Sequence, residues 1–134
     1  MVGGLEGWRV GRLEKPVVGQ EPSNHPTIQP SMRIAFKMHL HPGQAAEYRR
    51  RHDEIWPELV VLLKNTGISE YSIFLDESSH ELFGVLQIED PAALDTLPGH
   101  PVMQHWWAYM KDIMAAREDD SPVSTPLQEV FYLP

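Results

Sequence analysis

Residues 33–40 read RIAFKMHL, with Ile34, Phe36, Met38 and Leu40 at every second position and Ala35, Lys37 and His39 between them. Successive side chains of an extended strand leave on opposite faces. This segment therefore demands a sheet with one apolar face turned to a core and a more polar face turned away. Pro42 and Gly43 end it. A strand buried on one side needs hydrogen-bonding neighbours along its edges and a layer over its apolar face.

The rest of the chain supplies both. Residues 44–65 read as helix, broken or kinked at Trp56-Pro57, because a proline removes a backbone donor and restrains the residue before it. Gly67 provides the stop. EYSIFLD (70–76) and ELFGVLQIE (81–89) follow as strands, and residues 77–80 between them are few enough for an antiparallel hairpin. Pro91 opens a second helical region, interrupted by LPGHP at 97–101 and resumed in VMQHWWAYMKDIM. After the loop REDDSPVSTP, LQEVFYL at 127–133 is expected as the last strand. The order is βαββαβ, an α+β fold of the ferredoxin-like type, with a four-stranded antiparallel sheet and both helices on one face. The other sheet face wants cover. A homodimer with a closed cavity between or beneath the sheets is the expected solution.

Upstream of Met32 lie five of the nine glycines and four of the twelve prolines, without a sustained helix or strand period. Residues 1–31 read as a disordered or loosely attached extension, and 32–134 as the folded domain. No apolar run follows a basic start, and nowhere are there the ~18 consecutive apolar residues of a membrane span, so a cytoplasmic protein is expected. With 11 Lys and Arg against 19 Asp and Glu the net charge is −8, which repels a phosphate backbone and makes nucleic acid a poor partner. The absence of cysteine excludes thiol catalysis, iron–sulfur clusters and cysteine zinc motifs.

Several residues are candidates for chemistry, each with a plainer reading beside it. Tyr48 and His52 are four apart and share one face of a helix, where a phenol and an imidazole can line one pocket; a structural histidine with a satisfied ring is the alternative. Ile55, Trp56 and Leu59 form an apolar stripe at helical spacing. Arg49, Arg50 and Arg51 read as a solvated or salt-bridged helix face. Trp106 and Trp107 diverge by about 100° on a helix, so one can serve the core while the other offers a flat face and an N–H donor of the kind a sugar site uses; from composition alone core packing is the reading that comes first. Tyr71 sits on the strand face of Ile73 and Leu75, as a binding phenol or a strand aromatic with a bonded hydroxyl. His39 and His41 form a ligand-like pair with no third ligand marked, and Asp119-Asp120 fits a polar turn. There is no HExxH, glycine-rich phosphate loop, GxSxG or EF-hand signature.

Taken in order, YRRRHDEIWPEL, EYSIFLD, HWWAYM, DDSPVS and LQEVFYLP resemble the L-rhamnose mutarotase family from about Met32 to the end of the chain. The resemblance implies a dimeric α/β barrel and a cofactor-free interconversion of the α and β anomers of L-rhamnose. It implies His52 as the acid/base residue, and Tyr48, Tyr71, Trp106 and Trp107 as contacts to the sugar. On this reading His52 protonates the ring oxygen on opening, while water or a pocket acceptor takes the anomeric proton. The extension before Met32 falls outside the family pattern. A non-catalytic sugar-binding module on the same dimeric fold is the alternative, and a cofactor-free oxygenase is a third by fold analogy alone.

Overall fold

In the computed structural model, which describes residues 31–134, the first strand is β1 (Met32–His39). The extension expected over residues 1–31 lies, save Ser31, outside the described residues. β1 is central. One edge pairs antiparallel with β3 (Glu81–Ile88), from Met32 opposite Ile88 to His39 opposite Glu81. The other edge pairs with β4 (Thr125–Leu127), and β2 (Ile68–Asp76) lies outside β3, giving the order β2-β3-β1-β4. This is the expected ferredoxin-like sheet.

The period-2 pattern is realised as read. Ile34, Phe36, Met38 and Leu40 are buried, as are Leu82, Leu86 and Ile88 of β3, in one core with Tyr48, Leu59, Trp106 and Trp107 from the helical layer. Gly84 stands opposite Phe36. A Cβ there would come within 2.5 Å of the Phe36 ring, so the missing side chain is what lets that ring lie across the sheet.

Helix α1 (Ala45–Asp53) and helix α2 (Pro57–Asn65) realise the broken form of the expected helix. The break falls where expected: Trp56 is extended, at φ −66° and ψ 133°, as a residue before proline prefers, and Pro57 takes the first helical turn. Of the expected stripe, Leu59 is fully buried and Ile55 and Trp56, now outside both helices, are half-buried. Gly67 ends α2 at φ 99°, its N–H donating to the Lys64 carbonyl at 3.0 Å. In β2 the register shifts between Ser69 and Ser72, with Glu70 left-handed at φ 50°. One extra residue is absorbed there, and Ile73 and Leu75 pair with Gly84 and Leu82 on the helix-facing side.

The second helical region opens at Pro91 as a 3-10 helix, Pro91–Gly99, capped by the Asp90 carboxylate on the Ala92 N–H. Helix α3 (Pro101–Met110) follows. It stops short of the expected end, and Met114 instead makes a bridge to Leu40. The last strand is also displaced: β4 covers residues 125–127, whereas 127–133 was the expectation. Val130, Phe131, Tyr132 and Leu133 are four β-prone residues in succession rather than in alternation. No single-faced burial pattern fixes them on the sheet, and they lie exposed.

Candidate active site

Helices α1, α2 and α3, the buried face of β1 and residues along β2 enclose a half-open cavity of about 1010 Å³. Tyr48, His52, Tyr71, Trp106 and Trp107, drawn from three separate stretches of sequence, all line it. Its apolar wall includes Met38, Leu40, Met103, Met110 and Met114.

Tyr48 and His52 share the inward face of α1, and their rings stack with centroids 4.3 Å apart. His52 Nδ1 lies 3.0 Å from the Tyr48 carbonyl oxygen. A carbonyl can only accept, so Nδ1 carries the proton and, in the neutral ring, Nε2 carries the lone pair. The edge of the ring meets Trp106 at 5.4 Å and 88°. Burial holds the imidazole pKa below its ordinary 6.5, outweighing the opposite pulls of the Tyr48 carbonyl and Asp53. The resting group is therefore a neutral imidazole with a fixed tautomer.

The two phenols are kept protonated. Burial pushes Tyr48 well above the ordinary tyrosine range, and a charged Tyr71 nearby would push it further. Tyr71 is 36% exposed, but it stands on the cavity wall, and burial pushes its phenol up from the ordinary tyrosine value as well. Tyr71 also meets Phe36, with ring centroids 6.2 Å apart. Each hydroxyl can donate to a ligand oxygen without becoming an anion.

Trp106 and Trp107 are both buried, and both border the cavity. A cavity touching adjacent helical positions must reach about 100° around α3, so each indole packs in the core and also borders the cavity. Trp106 packs edge-on against Trp56 at 5.1 Å, and Trp56 stacks on Tyr109 at 5.6 Å.

The arginine triplet divides. Arg49 and Arg50 are exposed with carboxylate neighbours, as expected. Arg51 meets the salt-bridged half of that reading, through Glu47 and Asp112, but it is buried rather than on an open face: it is 9% exposed and reaches across to α3 and Asp112. Three consecutive arginines give no periodic signal that singles out the inward one. Asp119 and Asp120 sit in the expected turn, where Asp119 accepts from the Ser121 N–H and Asp120 pairs with Lys111 at 3.1 Å. Among the described residues no group of three or more His, Asp or Glu is placed to hold a metal ion, and His41 is exposed. No helix among them is long and apolar enough to cross a membrane.

The family model for L-rhamnose mutarotase matches residues 33–133, a span containing every residue of this cavity wall. The chain belongs to the L-rhamnose mutarotase family. An L-rhamnose mutarotase of Brucella anthropi is 59% identical over 102 residues, covering 76% of this chain and 96% of that protein. One from Rhizobium meliloti is 58% identical over 101 residues, 75% of this chain and 97% of its own length. The crystal structure of an L-rhamnose mutarotase from Formosa agariphila superposes with a TM-score of 0.73 at 47% identity, covering 78% of this chain and all of that one. The part of the mutarotase-family chain outside the family-model match is its first 32 residues and the final proline.

Proposed function

We propose that this chain is an isomerase that interconverts the α and β anomers of L-rhamnopyranose, serves rhamnose metabolism, and does so at the cavity bordered by His52. The observation that carries the reading is the near-complete match to relatives named L-rhamnose mutarotase, spanning nearly all of their length at 58–59% identity. The cavity supports it with a neutral imidazole, two protonated phenols and two indoles around a space open to a small polar ligand.

Mutarotation requires one proton to leave the anomeric hydroxyl and another to reach the ring oxygen; the ring then opens, the C1 end rotates, and closure on the other carbonyl face reverses both transfers. A neutral His52 with Nδ1–H tied to the Tyr48 carbonyl begins as acceptor, through Nε2, and returns that proton on closure. This inverts the order the sequence suggested, in which His52 first protonates the ring oxygen. Desolvation is the reason, since it makes the imidazolium the minority form at neutrality. A water at the open side of the cavity donates to the ring oxygen. Tyr48 and Tyr71 orient sugar hydroxyls, and Trp106 and Trp107 contact the ring C–H surface and the 6-methyl group. No step in this scheme calls for a cofactor.

The working unit we propose is a cytoplasmic homodimer. Phe131 and Leu133, each more than three-quarters exposed, lie inside the span matched by the family model and suit a surface that a second copy covers.

The test is saturation transfer between the α and β anomeric proton signals of L-rhamnose, with and without the protein. Exchange faster than in buffer is the expected result. No acceleration by folded protein would overturn the reading and leave a sugar-binding module on the same fold.

A further inference from the structure

Helix α1 carries His52, yet it buries only Tyr48 and Arg51. Nine residues with so small an apolar face do not hold a helix in place unaided, because isolated helices of that length are marginal in water. Its position over the cavity therefore depends on those two anchors. Tyr48 enters the core directly. Arg51 spans outward to the far end of α3: Nη1 donates to the Tyr109 carbonyl at 2.7 Å and to Asp112 Oδ1 at 2.9 Å, and Nη2 donates to Asp112 Oδ2 at 3.3 Å. Nε donates to Glu47 Oε2 at 2.7 Å, one turn back on α1. The guanidinium also lies 4.4 Å from the centroid of the Tyr109 ring.

Every part of the fork is thus engaged, in a geometry only a planar guanidinium provides. The Tyr109 carbonyl belongs to the last turn of α3, where carbonyls lack partners within the helix. Arg51 fills that place while its bidentate pair with Asp112 ties down the chain just beyond. One turn of α3 before this tie sits Trp106, against which His52 packs.

We propose that Arg51 is a positioning residue for the mutarotase reaction, fixing the α1 backbone against α3 so that the adjacent His52 is held at its place beside Trp106. The inference rests on the reading of His52 as the proton-transferring group. Small displacements of such a group are expensive, a misplacement of about 1 Å costing on the order of 10²-fold in rate.

The experiment compares anomer exchange of L-rhamnose over a range of sugar concentrations in wild type, Arg51→Met, Arg51→Lys and Asp112→Asn. NMR spectra of the His52 ring protons, which the Trp106 ring current displaces, are recorded alongside. Arg51→Met is expected to lower kcat by roughly 10- to 100-fold with KM changed less than about threefold, and to move the His52 signals. Arg51→Lys recovers little, because one ammonium cannot serve Glu47, Asp112 and the carbonyl together. Asp112→Asn alters a largely exposed partner and keeps the fold, so it decides the matter should Arg51→Met not fold: a fall in kcat with KM retained supports the proposal. Wild-type kcat with unmoved His52 signals in either folded variant would overturn it, as would activity that merely follows the folded fraction. Exchange at the wild-type rate in His52→Ala would instead remove the catalytic reading itself, which separates the two failures.

Discussion

Helices α1 and α3 put side chains into the same cavity but are held by opposite means. Helix α3 buries Met103, Trp106, Trp107 and Met110, large apolar groups whose burial is worth roughly 1.5–3 kcal/mol each. Helix α1 buries a tyrosine and an ion-paired arginine, and the rest of its surface is half-buried or exposed, mostly polar side chains. The proposed sugar platform therefore stands on an element fixed by non-directional packing, whereas the proposed proton carrier stands on one fixed by directional bonds. Hydrophobic burial secures a wall, but it does not define the angle of an imidazole. The hydrogen bond from His52 to the Tyr48 carbonyl and the fork of Arg51 do define it.

The largest effects should fall on opposite sides of this division. His52→Ala is expected to lower kcat for anomer exchange by ~10²–10⁴-fold, equivalent to about 2.7–5.4 kcal/mol of barrier, with little change in KM and a cooperative melt retained. Trp106→Ala should do the reverse of that split, costing ~3–5 kcal/mol of stability through the cavity it leaves and raising KM because a ligand wall is gone. Thermal melts paired with concentration-dependent exchange rates measure both. If His52→Ala melted as early as Trp106→Ala, α1 would be a packing element after all.

A pH series sharpens the α1 side. If neutral His52 is the acceptor, kcat/KM is flat above its lowered pKa and falls about tenfold per unit below it. The phenols add no alkaline limb near neutrality, since burial raises both. A rate that instead fell as pH rose through this range would restore the imidazolium as the starting form. Stability moves in the same sense. The folded state holds His52 below its unfolded value, so at pH values between the two the unfolded chain binds more protons. The contribution of the neutral ring is complete above about 6.5 and is lost as pH falls through the folded pKa.

The same division explains what was legible in the sequence. Patterns that report packing came through: the alternation at residues 33–40, the break at Trp56-Pro57, and the αL stop at Gly67 are each set by local stereochemistry, and the structure places them as read. Tyr48 and His52 were legible as a pair because helical spacing alone puts them on one face. That Tyr71 and the two tryptophans border the same cavity came from the family resemblance and not from spacing, because it depends on where the bulged strand β2 and helix α3 lie around that cavity. That Arg51 turns inward was not legible for a related reason: its partners lie 58 and 61 residues away. A charge run carries no periodicity from which to infer such a contact. The last strand was misplaced because β-propensity in residues 130–133 says nothing of whether a neighbour is there to receive them.

The smallest effect tests whether α3 contributes chemistry as well as a wall. His105 precedes Trp106 directly, on the element that carries both indoles, yet it is exposed. If proximity in sequence to the aromatic pair were enough to make a histidine functional, His105 would be as good a candidate as His52. The physical argument says otherwise: neighbouring positions on a helix diverge by about 100°, and His105 is exposed and stands outside the cavity wall. His105→Ala should change stability by less than about 0.5 kcal/mol and leave both kcat and the acid limb of the rate profile where they are. A lowered kcat in this variant would mean that α3 contributes to proton transfer as well as to the wall. The assignment of binding to one helix and proton transfer to the other would then have to be redrawn.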